Sequence, residues 1–448
     1  MKQFFAMPKH ALKMYHADDS GINFRPHPNS TIPQHHRLYF HTHRATHSFL
    51  SGSSLSRFAS RFETLMIKQV EEERIGHEWQ EMPDLFPFLQ KIVATAAIDA
   101  MCGPALTSLN PTWIQDFWDF DRSLPSFLKA LPRWLAPKAW SARDRVIDGL
   151  KRWHAFAKEN FTEDCVDKDG HDPFFGTQLI RNRQDYFSKM DFMTPDALAS
   201  EDLGLIWAEN ANSVPSIFWF ILEALRDPAL FSRARAEVDG SRDPNAEELH
   251  FNASKLCGQP LLQSMFAEVL RLRTSLFLVR GADHGDFHIG KYKFERGKPI
   301  ALDTGFAHTD SAVWNAGPGD IYPTTEFWAE RFLVNPSDPT SGPLKPTPPG
   351  NPPMSKDQTM HFSTSGLDGA WVPFGGGRRQ CPGKQFAKQE IILSFAILAT
   401  VLDIELLDTS DKNKPQSDMR YYGLGGMPPD RKVPFRVRMK QPTVATQS

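Results

Sequence analysis

Residues 374–384 read Phe-Gly-Gly-Gly-Arg-Arg-Gln-Cys-Pro-Gly-Lys, and the reading of the chain turns on them. Gly375, Gly376 and Gly377 remove side-chain bulk from one turn and permit any positive φ it requires. Pro382 suits the first position of a helix, and KQFAKQEIILSFAIL continues with helical periodicity. Cys381 is therefore expected at a helix N-terminus, where free N–H groups and the dipole favour a thiolate over a thiol. Arg379, two residues earlier, offers a guanidinium to a carboxylate. A phosphate loop competes poorly, because no Gly-Lys-Ser/Thr ends the run. A Gly-rich turn before an amphipathic helix, with an incidental buried Cys, is the plainer alternative.

Bulk properties narrow the classes. The 448 residues suit two or three ordinary domains or one large cofactor-enclosing fold. Hydrophobic residues make up 40%, and 34 Phe with 11 Trp can fill a wide core or line a lipophilic pocket. A formal net charge of −2 gives no reason to expect a nucleic-acid partner. Cys102, Cys165, Cys257 and Cys381 lie far apart, which is neither a disulfide framework nor a CxxC zinc site. One of them can be a special ligand and the others small buried hydrophobes. Eight of the 16 His fall in the first fifty residues, including His41-Thr-His43. No Cys or acid stands at ligand spacing there, so they read as surface or helix-face histidines. The longest apolar run, Ile391 to Leu402, has twelve residues, short of the roughly 20 that a membrane span needs. The opening MKQFFAMPKHALKMYH has neither a signal-peptide core nor a cleavage site, so the chain as written reads as soluble.

Residues 49–240 are expected to be mainly helical, with a Pro-containing connector at 131–140. Residues 276–306 alternate short β-type runs with Gly-centred turns. Residues 335–354 are dense in Pro, Gly and Ser and read as an irregular surface loop. A helix returns over 383–402, and the C-terminus reads as hairpins. The expected fold is mainly α with a small β region, one compact unit over residues 1–448.

Two further segments carry chemistry. GLIWAENANSVPSIFWFILEALRDP (204–228) is expected to be a long helix. Pro215 has no N–H, so the carbonyl of Ala211 should be unpaired and a kink should open beside Asn212 and Ser213. Glu268 and Arg271 share one face of an otherwise apolar helix, and a buried pair there needs further hydrogen bonds. Arg331, in Phe327-Trp-Ala-Glu-Arg-Phe332, supplies a second guanidinium.

Phe374, Gly377, Arg379, Cys381 and Gly383 fill every fixed position of Phe-x-x-Gly-x-Arg-x-Cys-x-Gly. This resembles the haem-binding signature of the cytochrome P450 superfamily. The resemblance implies haem b with iron held by Cys381, flanked by Phe374 and Gly383. It also implies propionate contacts from Arg379 and Arg280, with Arg37, His41 or Arg44 as a further partner. Glu268, Arg271 and Arg331 resemble the family's structural triad, which locks the loop beneath the haem. Asn212 and Ser213 stand where the family places an acid and Thr to manage protons for oxygen activation. Phe277, Leu278 and the Gly423–Met427 turn would touch substrate. Arg378, Lys384 and Lys388 would form a basic patch for an acidic NADPH-cytochrome reductase, or else an ordinary solvated helix face.

The Ala-Asn-Ser-x-Pro pattern resembles the branch containing sterol and bile-acid hydroxylases and prostacyclin synthase. KQFAKQEI after the Cys resembles filamentous-fungal members of secondary metabolism. The implied activity is insertion of one atom of O2 into a lipophilic molecule such as a sterol, terpenoid or polyketide. A haem-thiolate isomerase needing neither O2 nor reductase is the alternative, and a non-catalytic haem-binding scaffold is a third. The resemblance covers roughly residues 10 to 440. It starts after the family's membrane anchor, Pro-rich hinge and first strands. The expectation is a shortened N-terminus and, with the anchor present, an endoplasmic-reticulum location.

Overall fold

The computed structural model describes residues 4–244, 246, 248–281, 285–346 and 359–441. Seven of its helices matter for the site: α1 (Leu38–Phe49), α2 (Gly52–Glu72), α3 (Leu85–Cys102), α4 (Pro137–Asn160), α5 (Pro195–Arg226), α6 (Pro260–Arg273) and α7 (Lys384–Val401). One large apolar cluster joins them, with Phe62 of α2, Ile92 of α3, Trp153 of α4, Phe218 of α5, Met265 of α6 and Phe395 of α7 all buried.

The most apolar of these helices is α3, which by length and composition alone could cross a membrane. Pro87, Gln90, Lys91 and Asp99 break its run, so the sequence pointed instead to Ile391–Leu402. Within the fold, 72% of α3 is buried, and it packs against α2 and α5. Such burial is what an all-round apolar core helix needs.

Beside three two-stranded pairings, the β region of the described residues holds two three-stranded antiparallel sheets. In one, β1 (Gln80–Met82) and β4 (Leu402–Leu406) flank β6 (Phe435–Met439). In the other, β2 (Thr274–Gly281) lies between β3 (Pro299–Asp303) and β5 (Leu424–Gly426). The expected C-terminal hairpin is therefore not formed. Strands β5 and β6 are neighbours in sequence but belong to different sheets, each paired with distant segments. Residues 335–346 of the Pro-rich stretch form turns and an isolated bridge from Leu344 to Trp314; residues 347–354 lie outside the described residues.

Candidate active site

The glycine turn behaves as its composition dictates at two positions. Gly375 (φ +70°) and Gly377 (φ +71°) are left-handed, whereas Gly376 is extended. The Cys381 N–H closes the loop on the Phe374 carbonyl at 2.9 Å. Helix α7 begins at Lys384 with Gly383 as its cap, so Pro382 precedes the helix rather than opening it. Cys381 Sγ still receives the backbone N–H groups of Gly383 and Lys384. Burial pushes the thiol up, and these two N–H groups act against it.

Cys381 faces a cavity of about 420 Å³. Ala208, Glu209, Asn212, Ser213 and Ser216 of α5 line one side, and Phe374, Gly375, Cys381, Pro382 and Gly383 line the other. Strand β2 closes an edge with Leu276, Leu278 and Arg280. These three alternate along the strand, as side chains on one sheet face must. Phe277 consequently points the other way and does not line the cavity. It packs edge-on to Tyr422 at 5.8 Å and against Gly423. The Gly423–Met427 turn is likewise outside the lining: Gly423 takes the Phe277 ring, and Met427 accepts the Trp219 indole N–H at 2.8 Å.

Arg280 and Arg379 both border the cavity. Arg280 donates to the Gly376 carbonyl at 3.1 Å, and Arg379 lies 5.2 Å over the Tyr39 ring. None of the three N-terminal candidates joins them. Arg37 is fully buried and donates to the carbonyls of Phe24 (2.8 Å) and Asn23 (2.5 Å). His41 bonds the Gln34 carbonyl at 2.8 Å, and Arg44 is exposed beside a separate pocket. Thr46, Phe49 and Leu50 reach the cavity from this part of the chain instead. His43 contacts the Arg378 backbone, where burial lowers its imidazole basicity. Among the described residues no group of three or more His, Cys, Asp or Glu could hold a metal ion.

Helix α5 runs through Pro215 as a single helix of 32 residues. Nearby polar atoms are closed locally: Ser216 Oγ donates to the Asn212 carbonyl at 2.8 Å, and Ser213 Oγ donates to the Glu209 carbonyl at 2.7 Å. Asn212 lines the cavity, and its Nδ2 makes only a long 3.5 Å contact to the Ala208 carbonyl. Its Oδ1 accepts the Gly426 N–H at 2.9 Å, tying α5 to β5. A side chain on Gly425 (φ +136°) would collide with that amide, so the strand approaches only because glycine stands there.

Glu268, Arg271 and Arg331 form one buried network. Glu268 accepts from Arg271 Nε (2.7 Å) and Nη2 (2.8 Å), from Arg331 Nε (2.9 Å) and from the Trp328 N–H (3.1 Å). The guanidiniums also bind the carbonyls of His308, Thr324, Asn315 and Glu326. Burial raises the Glu268 carboxyl, but the two cations outweigh it and hold the group below the usual range.

Of the expected basic patch, Arg378 and Lys384 are exposed. Lys388 is half-buried and donates to Gln263 at 2.5 Å, and burial lowers its basicity. One residue escaped the sequence reading altogether. Glu390 of α7 is 1% exposed and lines the cavity together with Ser213, and its Oε1 has no hydrogen-bond partner. A lone acid at the head of the apolar run after the cysteine is the signal for it.

The donors present fit a haem. One thiol faces a mostly apolar cavity between two helices, and two guanidiniums stand at its edge. Gly376 and Gly377 have open space where a Cβ would stand.

The comparisons agree with this geometry. The cytochrome P450 family profile matches residues 105–435. The chain is 41% identical over 423 residues to the cytochrome P450 monooxygenase fsoE of Humicola fuscoatra, covering 92% of this chain and 72% of that protein. It is 37% identical over 409 residues to the cytochrome P450 monooxygenase efuG of Hormonema carpetanum, covering 89% and 72%. A more distant relative, cholesterol 7-alpha-monooxygenase of Cricetulus griseus, is 27% identical over 342 residues, covering 73% of this chain and 59% of that one. The fold resembles the crystal structure of a cytochrome P450 (CYP102L1) with a TM-score of 0.60 at 15% identity, covering 96% of this chain and 84% of that one. This chain belongs to the cytochrome P450 monooxygenase family.

Proposed function

We propose that this protein binds haem b through Cys381 and inserts one atom of O2 into a lipophilic, sterol-sized substrate, using electrons from an NADPH-dependent reductase. The observation that carries the reading is the cavity itself, which sets Cys381 Sγ across from Ser213 within one apolar enclosure. Haem supplies the oxidising chemistry when bound, with the thiolate tuning the iron. Arg379 and Arg280 would hold the propionates through charge-assisted hydrogen bonds. Phe374, which stacks on Phe266 at 6.4 Å, would hold the loop beneath the ring. Leu276 and Leu278 would bound the substrate and exclude water, as an apolar lining does for a lipophilic ligand. The sterol-like class is supported by the cholesterol hydroxylase among the relatives. Arg378 and Lys384, exposed beside the cysteine loop, would face the reductase.

An isomerase reading draws on one observation: Asn212 replaces an acid, and its amide is already engaged by Gly426. A rearrangement needs neither electrons nor a proton supply. The carbon monoxide difference spectrum of the reduced protein tests the ligand. A thiolate-type band is expected in the wild type and not in Cys381→Ser. Product formation that requires both O2 and NADPH then selects the monooxygenase, and turnover without either selects the isomerase.

A further inference from the structure

His308 is fully buried in the short helix Thr304–Thr309, and its ring and carbonyl bond three different segments. The carbonyl accepts Arg271 Nη1 of α6 at 2.7 Å. Nδ1 meets the Thr274 carbonyl, at the start of β2, at 3.2 Å. Nε2 meets the Val372 N–H at 3.1 Å.

Those partners fix the tautomer. A backbone amide only donates and a carbonyl only accepts. Nε2 therefore offers its lone pair to Val372, and Nδ1 carries the hydrogen for Thr274. A protonated ring would set one N–H against another. Burial lowers the imidazole to about 4, with the Arg271 charge acting the same way and the Thr274 bond against it, so the ring is neutral near pH 7.

Val372 is where the cysteine loop begins. Its carbonyl accepts the Gly375 N–H at 3.0 Å, and the Phe374 carbonyl accepts the Cys381 N–H at 2.9 Å. An unbroken path thus runs from Glu268 to Arg271, through His308 to Val372, and around the loop to Cys381. The neighbouring Trp371 is tied to α6 by its side chain, through the Ala267 carbonyl at 3.1 Å, whereas His308 grips the backbone itself.

We propose that His308 is a positioning residue for the haem thiolate: its neutral imidazole fastens the entry of the cysteine loop to the Glu268–Arg271 network and so sets where Cys381 stands. The inference rests on the reading of Cys381 as the iron ligand. Groups behind a metal ligand orient it, and here the group behind Cys381 acts on its backbone.

Two substitutions divide the ring between its partners. Counted in bonds from Cβ, Asn reaches as far as Nδ1 and Gln as far as Nε2. His308→Asn keeps a donor for Thr274 and leaves the Val372 N–H without an acceptor. His308→Gln sets an oxygen at Val372 and gives up Thr274.

The test uses the full chain loaded with haem, reduced and saturated with carbon monoxide. The ratio of thiol-type to thiolate-type Soret band should rise about tenfold in His308→Asn, as an unsatisfied buried amide costs. In His308→Gln it should stay within about twofold of the wild type. Deuterium exchange of the peptide containing Val372 should be slow in the wild type and His308→Gln and faster in His308→Asn. Urea unfolding gives the stability lost by each variant. A merely structural histidine would shift both spectra in step with that loss, whichever bond was cut. Equal bands in the two variants overturn the proposal, as does a larger thiol fraction in His308→Gln. A wild-type Val372 amide that exchanges as fast as an exposed one overturns it without any variant. If exchange separates the variants but no member of the set has a thiolate band, the Cys381 reading fails and the His308 tie to the loop stands.

Discussion

Glu268 and Glu390 are equally buried, at 0% and 1% exposure, and their carboxyls move in opposite directions. Glu268 accepts four hydrogen bonds, three from guanidiniums, and is held charged. Glu390 has an unpartnered oxygen and no guanidinium, and burial pushes its carboxyl up to about 8. Depth is thus not what sets the charge of a buried acid; its partners are. The first arrangement immobilises a charge in order to pin backbone, and the second leaves a carboxyl beside a cavity without a countercharge.

The sharpest way to break the comparison is to remove the scaffold carboxyl. Glu268→Ala leaves two guanidiniums buried without their anion, a change that costs about 3–5 kcal/mol. The expected result is a large loss of denaturant resistance, together with loss of the segment that Arg271 and Arg331 hold through the His308, Asn315 and Thr324 carbonyls. Chemical unfolding followed by tryptophan fluorescence measures it. A loss under 1 kcal/mol would mean that the network is ornamental.

Titration separates the two acids by sign. Glu390 keeps its proton in the folded chain at pH values where the unfolded chain has lost it. Its contribution is full below the ordinary glutamate range and drains away as pH rises to about 8. The slope in that window is about 1.4 kcal/mol per pH unit for one proton. Glu268 is lowered, so its contribution is full above the ordinary range and is lost as acid takes pH down through its folded value. Unfolding free energy measured from pH 5 to 8 should therefore decline less steeply in Glu390→Gln than in the wild type. Identical slopes would refute a protonated Glu390.

The two regions also differ in how much of them the sequence discloses. The cysteine loop and the Glu268–Arg271 pair are legible because each is a local pattern: glycines, a guanidinium and a thiol within eleven residues, or two charges one helical turn apart. Arg331 is legible only through resemblance, since nothing local says that it meets Glu268. The cavity brings Glu209 of α5 together with Glu390 of α7 across 181 positions of sequence, and no spacing rule reaches that far. The tie from Asn212 to Gly426 is illegible for a related reason. Gly426 comes from a strand whose pairing with β2 is long-range. Pro215 is a milder case. Its lost N–H is real, yet the surrounding core packing carries the helix through it.

That tie gives a smaller prediction. Asn212→Ala leaves the Gly426 N–H without its acceptor and should cost about 1–3 kcal/mol. Asn212→Asp keeps an acceptor and should cost less. If Asn212 served water rather than the strand, the two substitutions would be equally mild in thermal unfolding.

The smallest expected effect concerns β2, and it tests alternation directly. Leu278 lines the cavity, whereas Phe277 faces Tyr422. Leu278→Ala removes apolar surface from the pocket, worth about 1 kcal/mol, and should weaken binding of a sterol that shifts the ferric Soret band about fivefold. Phe277→Ala removes the larger side chain but from the opposite face, so it should lower stability and leave that binding constant within twofold. A reversal, with Phe277→Ala weakening binding and Leu278→Ala silent, would mean that the strand is out of register by one residue. A slip of that kind turns every side chain of β2 over. Arg280 would then leave the cavity with Leu278, so the same titration reports on one of the two guanidiniums proposed for the propionates.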